Sequence, residues 1–152
     1  MKAVRKFDEF IKEGIVKLQS PDKSRAEFLI KESEKMLVGL NERLKIMGID
    51  ENNTNSIIKD CYDILMGLIR AKMFLEGFNA SGYRAHEAEV SYMENIGFSE
   101  NEVQFADQIR FFRNGMLYYG TILDKEYAEK VIKFTRESYK KIIGFLDFKR
   151  SR

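Results

Sequence analysis

The side chains best suited to chemistry lie in one segment, residues 108–120, which reads QIRFFRNGMLYYG. On a helix, Arg110, Arg113 and Asn114 share one face because they stand at positions i, i+3 and i+4. Tyr118 follows Asn114 by four residues and extends that face by one more turn. Arginine offers a planar fork of hydrogen-bond donors, asparagine binds base edges, and tyrosine donates a hydrogen bond or stacks on a ring. The face therefore suits a phosphate group or a nucleotide.

The same spacing also has a purely structural interpretation. Arg110 and Arg113 would pair with acids such as Asp107 and Glu94, and the two consecutive tyrosines would be half-buried core residues. Surface arginines and tyrosines at helix ends are common in folded proteins. The spacing alone therefore favours this structural interpretation over a ligand site.

Two other reactive side chains, His86 and Cys61, are the single representatives of their residue types. One cysteine excludes an intramolecular disulfide and a cysteine-based zinc site, and one histidine excludes a multi-histidine metal site within the chain. We interpret Cys61, which has apolar neighbours, as a small core residue. His86 lies on a predicted short helix just before the 108–120 segment and is a candidate ligand-binding residue. A lone histidine on an amphipathic helix is more often structural or solvated than catalytic.

Cofactor and metal chemistry are not predicted. The sequence has neither a Gly-x-x-x-x-Gly-Lys run nor a Gly-x-Gly-x-x-Gly run, the loops that cradle phosphates. The paired Glu-x-x-His segments of di-iron bundles are also absent. We therefore expect neither a cofactor nor a metal site.

The elements that must position the site are predicted to be helices almost throughout. The spacing of apolar residues is helical, and Pro21 is the single proline. We predict an all-α, antiparallel helical bundle of about five or six helices, forming one domain over residues 1–152. An N-terminal helix pair would occupy residues 1–47, and the bundle core, residues 54–147, would carry the Arg113–Asn114 motif.

Helix boundaries follow from capping and helix-breaking residues. We predict the first helix over 3–18, and a second that begins near Ser20 and Pro21 and ends at Gly48. Thr54 or Asn53 caps the third helix, which is apolar around most of its circumference from 57 to 78, so it is either central or buried in a dimer.

Three more helices are predicted after the third. A fourth is predicted over 84–95. Ser99 and Glu102 form a capping box for the fifth helix, which carries the 108–120 segment, and Asp124 caps the last helix.

Composition limits the partners. The chain has 152 residues, with 26 Lys and Arg against 24 Asp and Glu, a net charge of +2. This near balance gives no general electrostatic attraction to nucleic acids or membranes, although a local patch is compatible with it. No apolar run approaches the roughly 20 residues that span a bilayer, and no apolar signal region follows the N-terminus. We therefore expect a cytoplasmic protein without a membrane partner.

The segment 112–120, FRNGMLYYG, resembles the signature segment of HEPN domains (higher eukaryotes and prokaryotes nucleotide-binding). Their pattern is an arginine, usually followed by a polar residue such as asparagine, and a histidine after four to six intervening positions. Arg113 and Asn114 match its first half, and the resemblance covers roughly two thirds of the chain, from about 57 to 143. It implies a helical bundle, a homodimer, RNA or nucleotide as ligand, and a minimal nucleotidyltransferase as partner, with this chain as the toxin half of a two-gene pair or as a related module.

The sequence departs from that pattern at the histidine, where Tyr118, Tyr119 and Gly120 stand instead. The resemblance implies that active members cleave RNA without metal, through the ribose 2′-hydroxyl, using arginine and histidine from two protomers. Histidine, with an ordinary pKa of about 6.5, transfers protons near neutral pH, whereas tyrosine, at about 10, is a poor general base. A non-catalytic binding protein is therefore the first hypothesis, with a ligand site formed by Arg110, Arg113, Asn114, Tyr118, Tyr119 and His86.

Two alternatives stay open. The chain is a structural protein-interaction module in which the apolar third helix forms a dimer, or it is a metal-independent endoribonuclease. In the ribonuclease, Arg113 and Tyr118 are the catalytic residues, with Tyr119 or His86 as substitutes for Tyr118.

Overall fold

The computed structural model describes the backbone of residues 3–119 and 124–150 and the side chains of residues 3–114 and 124–146. Over these residues the chain forms six helices and one two-stranded sheet, which confirms the predicted all-α bundle. The elements are α1 (Phe7–Lys12), β1 (Val16–Leu18), α2 (Lys23–Met47), α3 (Thr54–Leu75), β2 (Phe78–Ala80), α4 (Ala85–Asn95), α5 (Glu100–Tyr119) and α6 (Lys125–Arg150).

The prediction of one helix over residues 3–18 is wrong. Helix α1 ends at Lys12, and Gly14 then adopts a left-handed conformation with φ +79°. Residues 16–18 form β1, in which buried Val16 lies opposite Ala80 and Leu18 opposite Phe78. A left-handed glycine breaks the helix, and the antiparallel pairing supplies the hydrogen bonds that a longer helix would have made.

The start of α2 also differs from the prediction. Ser20 and Pro21 lie before the helix, and Asp22 is its N-cap, with Oδ1 accepting a hydrogen bond from the backbone N–H of Arg25 at 3.1 Å. The predicted end is confirmed, because Gly48 stands at the C-cap with φ +67°. An aspartate cap satisfies an otherwise unpaired N–H and complements the positive end of the helix.

The predicted caps of α5 and α6 are confirmed. Glu102 accepts a hydrogen bond from the Ser99 backbone N–H at 2.9 Å, and Ser99 Oγ accepts one from the Glu102 N–H at 3.1 Å. At α6, Asp124 Oδ1 accepts a hydrogen bond from the Tyr127 N–H at 2.8 Å. The Ser99–Glu102 pair fixes where α5, the helix that carries the candidate site, begins.

Helix α3 is the central helix of the bundle, as its apolar circumference predicts. It packs against α2, α4, α5 and α6, and Ile58, Ile64, Leu68 and Ile69 are fully buried. It spans Thr54–Leu75 with Asn53 as its N-cap, as predicted, but it ends before the predicted Phe78, because Phe78 begins strand β2. With its partners on several sides, α3 is the element that can bring polar residues of different helices together.

Cys61, on α3, is expected to be unreactive in the folded protein. Its side chain is fully buried, and burial raises the pKa of the thiol to about 11. Only about one thiol in a thousand would then be ionised at pH 8, and the thiolate is the nucleophile. A disulfide exchange reagent at pH 8 should modify the protein only after denaturation. Modification of the native protein at the rate of a free thiol would contradict this packing.

Candidate functional site

The candidate site is a set of charged side chains around Tyr62, a buried tyrosine of α3. Tyr62 is 4% exposed, and the Cζ atom of Arg113 lies 5.7 Å from the centre of its ring. The charges of Arg70, Arg110 and Glu89 also act on the Tyr62 hydroxyl. We call this set the Tyr62 cluster: Tyr62, Asp63 and Arg70 on α3, His86 and Glu89 on α4, and Asp107, Arg110 and Arg113 on α5.

Helical spacing explains why these residues meet. The three members on α5 follow each other at intervals of three, and the two on α4 are also three residues apart, so each set lies on one face of its helix. Tyr62 and Arg70 are separated by eight residues, slightly more than two turns of α3. Since α3 contacts both α4 and α5, the three faces converge.

Arg110 is held in an ion pair. Its Nε donates a hydrogen bond to Asp107 Oδ1 at 2.7 Å, and Asp107 is 7% exposed. This pairing is the one that the structural interpretation expects. Glu94, the other acid expected as a partner, instead accepts hydrogen bonds from Lys6 at 2.7 and 2.9 Å.

Arg113 is bound much more loosely than Arg110. Its Nη2 lies 3.4 Å from Oδ1 of Asp63, and both side chains remain about two-fifths exposed. Among the described residues Arg113 donates no hydrogen bond, and its Nε is buried without a partner. The guanidinium lies over the Tyr62 ring at a distance typical of a cation–π contact. Arg113 thus keeps most of its hydrogen-bonding capacity unused.

His86 is linked to the cluster through Glu89. The His86 Nδ1 and Glu89 Oε1 atoms are 3.1 Å apart. Glu89 also accepts two hydrogen bonds from Arg70, at 2.6 Å from Nε and 3.1 Å from Nη2. The histidine side chain is 65% exposed, whereas the Glu89 side chain is 4% exposed. His86 therefore joins the cluster through Glu89 and Arg70, with its Nδ1 committed to Glu89, and none of the described hydrogen bonds links it to Arg113.

Burial and hydrogen bonding act in opposite directions on Glu89. Burial alone would raise the pKa of its carboxyl, but the hydrogen bonds and charges of His86 and Arg70 outweigh it and lower that pKa. Burial also raises the pKa of the Tyr62 hydroxyl well above its ordinary value. At neutral pH the cluster therefore contains an ionised Glu89 and a protonated phenol that can donate a hydrogen bond.

The other predicted site residues are placed in part. Asn114 is exposed on α5, next to Arg113. The backbone of Tyr118 and Tyr119 belongs to the end of α5, but their side chains lie outside the described residues, as does Gly120. The structure therefore brings Arg110, Arg113 and His86 into one cluster and does not place the two tyrosines.

Four members of the cluster were not predicted from the sequence: Tyr62, Asp63, Arg70 and Glu89. Asp63 and Arg70 are charged residues on a mostly apolar helix, but Lys59, Asp60 and Lys72 share that property, so the sequence did not single them out. Asp63 and Arg70 line a groove of about 210 Å³ between α2 and α3. Tyr62 and Glu89 gave no signal either, because their importance comes from contacts between helices.

A second groove, of about 560 Å³, lies away from this cluster between the end of α2 and α6. Its apolar lining residues are Leu44, Ile49 and Ile132, and its rim carries both lysines and glutamates. The described residues of the candidate site do not line it. Because its rim carries side chains of both charges, the groove favours neither an anionic nor a cationic ligand.

Within the described part of the chain, no group of three or more His, Cys, Asp or Glu side chains is arranged to hold a metal ion. None of the helices described is long and apolar enough to cross a membrane. The chain has no significant match among models of protein families, curated proteins or solved structures.

Proposed function

We propose that this protein binds RNA or a nucleotide through the face of α5 that carries Arg113 and Asn114. The proposal rests on the unused hydrogen-bond donors of Arg113. Arg70 and Arg110 each donate hydrogen bonds to carboxylates, whereas Arg113 donates none to the described residues. An arginine with unused donors on a partly exposed surface is suited to a phosphate, whose oxygens accept two parallel N–H bonds.

A neighbouring side chain supports a nucleotide rather than a bare anion. Asn114 is exposed beside Arg113, and an amide can bind a base edge. The phosphate and the base edge would each find a partner at adjacent positions of this helix.

Binding is favoured over cleavage by the chemistry of the described groups. His86 has its Nδ1 engaged by Glu89, and Arg110 is engaged by Asp107. Histidine is the side chain best suited to proton transfer near neutral pH, and the base closest to Arg113 among the described side chains is instead the carboxylate of Asp63, which forms an ion pair with it. The proposed protein is therefore a HEPN-like binding protein.

The HEPN resemblance extends this proposal to partners and location. The protein would be a cytoplasmic homodimer, and a minimal nucleotidyltransferase would be its partner, with this chain in the toxin-like role. Co-purification of the two proteins would test the partner separately from the ligand.

The test of the ligand is binding of a labelled, single-stranded RNA of mixed sequence by three proteins: wild type, Arg113→Ala and Arg43→Ala. Arg43 is a matched control, because its Nη2 also contacts an aspartate of α3, Asp60, at 2.7 Å. Removal of a charged group that binds phosphate should weaken binding roughly tenfold or more in Arg113→Ala. Arg43→Ala should bind as the wild type does.

Competition with adenosine monophosphate distinguishes a mononucleotide site from a site for RNA. Efficient competition indicates a mononucleotide ligand, and none indicates that the polymer is required. We expect the RNA to remain intact after incubation without metal. Failure of the wild type to bind either probe, or equal binding by all three proteins, would contradict the proposal.

A further inference from the structure

Two buried polar atoms lie on the two side chains that contact each other at the centre of the site. The Tyr62 hydroxyl and the Arg113 Nε are both buried and have no hydrogen-bond partner among the described residues. Buried polar groups are almost always paired, because leaving one unpaired is costly. Two such atoms in one contact indicate that this place accommodates a group that is not part of the described chain.

We propose that the Tyr62 hydroxyl is a second donor of the ligand site and binds a phosphate oxygen of the group that Arg113 holds. This inference rests on the proposed function and adds to it a binding residue on α3, the central helix. The Tyr62 hydroxyl would donate a hydrogen bond to the phosphate from the protein interior, and the Arg113 guanidinium would bind it from the solvent side.

The position of Arg113 explains how a ligand reaches a hydroxyl that is covered in the unliganded protein. The guanidinium lies over the Tyr62 ring, and its one ion pair with the described residues is the 3.4 Å contact with part-exposed Asp63. Few interactions therefore oppose a rotation of the Arg113 side chain toward solvent. Such a rotation would uncover the edge of the phenol while the guanidinium meets the arriving anion.

The charges around the hydroxyl favour an anion of limited charge. Arg70, Arg110 and Arg113 all act on the phenol, and Glu89 opposes them. Arg70 and Arg110 are hydrogen-bonded to Glu89 and Asp107, whereas Arg113 has only the 3.4 Å contact with part-exposed Asp63 among the described residues, so Arg113 is the cation that an anion can engage most easily. This balance fits one phosphate group better than a cluster of phosphates.

The experiment compares Tyr62→Phe with Tyr127→Phe. The Tyr127 hydroxyl is also buried without a partner among the described groups, but its ring packs against Phe105 and Phe112, and no arginine acts on it. Each substitution removes the same buried oxygen, from a buried ring at Tyr62 and from a partly buried ring at Tyr127. Tyr127→Phe therefore controls for the general effect of deleting an unpaired hydroxyl.

Binding is measured with the same single-stranded RNA, and the thermal midpoint is measured in phosphate-free buffer. Tyr62→Phe should weaken RNA binding roughly tenfold, the effect of one hydrogen bond to a charged group. Its thermal midpoint should not fall, because the deleted hydroxyl has no partner in the unliganded protein. Tyr127→Phe should leave RNA binding unchanged.

A second measurement uses inorganic phosphate. Compared with chloride at equal ionic strength, phosphate should raise the thermal midpoint of the wild type and raise that of Tyr62→Phe less. This readout needs no RNA, so it separates a phosphate site from a site that requires the base.

The outcomes separate the two proposals. If Arg113→Ala weakens RNA binding while Tyr62→Phe binds like the wild type, the inference about Tyr62 is wrong and the proposed function stands. A lower thermal midpoint with unchanged binding would assign the hydroxyl to the fold and also overturn the inference. Absence of RNA, nucleotide and phosphate binding in the wild type would overturn both.

Discussion

Replacing Gly67 by valine is expected to lower the free energy of unfolding by about 3 kcal/mol. Gly67 of α3 faces α2, and a Cβ atom there would clash with Ser33 Oγ. Ser33 is 2% exposed, and its hydroxyl donates a hydrogen bond to the Ile64 carbonyl at 3.0 Å. The hydroxyl would have to rotate away and lose its partner, and the two methyl groups of valine would further separate the helices.

Gly39→Ala is the matched control for this substitution. Gly39 lies in the middle of α2, and an added Cβ there meets nothing within 4 Å. Alanine favours a helix over glycine by up to about 1 kcal/mol, so this variant should be more stable than the wild type. Urea unfolding of both variants tests the packing of α2 on α3. A Gly67→Val protein as stable as the wild type would show that these helices do not approach as described.

Replacing Glu89 by alanine is expected to lower the free energy of unfolding by about 2 kcal/mol. Glu89 is buried and holds Arg70 by two hydrogen bonds, while also contacting His86. Removing one partner of a fully buried ion pair typically costs about 3–5 kcal/mol. The Arg70 side chain is 34% exposed, so water would solvate part of its charge and reduce the loss.

The effect of Glu89 should depend on pH in a definite direction. The folded protein holds the pKa of this carboxyl below its ordinary value of 4.5, so the unfolded chain takes up the proton first as the pH falls. The stabilisation is fully present above that ordinary value and is lost as the pH falls through the lower, folded value.

Glu89→Gln keeps the shape of the side chain and removes the titration. Urea unfolding between pH 6 and pH 3 should therefore show a smaller acid loss of stability in Glu89→Gln than in the wild type. Equal acid slopes in the two proteins would mean that the Glu89 carboxyl is not held by Arg70 and His86 as described.

The parts of the fold that local sequence determines were predictable. The apolar circumference of α3 indicated its central position, and the Ser99 and Glu102 pair indicated the start of α5. Both features depend on residues within a few turns of each other. Strand β1 was not predictable in this way, because Val16–Leu18 continues a helical apolar pattern and its partner strand lies about 60 residues later.

In the candidate site, too, contacts within one helix were predictable and contacts between helices were not. The Arg110–Asp107 pair joins residues three apart on one helix, and the sequence indicated it as a structural alternative. The contact of Arg113 with Tyr62 and the link between Glu89 and Arg70 join different helices, so no spacing within one segment could reveal them. Asp63, rather than Glu94, is the partner of Arg113 for the same reason.

The most direct test of the central claim, that Arg113 contacts a phosphate of the ligand, is the salt dependence of RNA binding. On a single strand, each phosphate that a protein neutralises contributes about 0.7 to the steepness of log K plotted against log salt. We expect Arg113→Ala to bind RNA more weakly and with a slope reduced by about that amount, while Arg43→Ala keeps the slope of the wild type. Weaker binding of Arg113→Ala with an unchanged slope, or equal binding by both variants, would contradict a phosphate contact at Arg113.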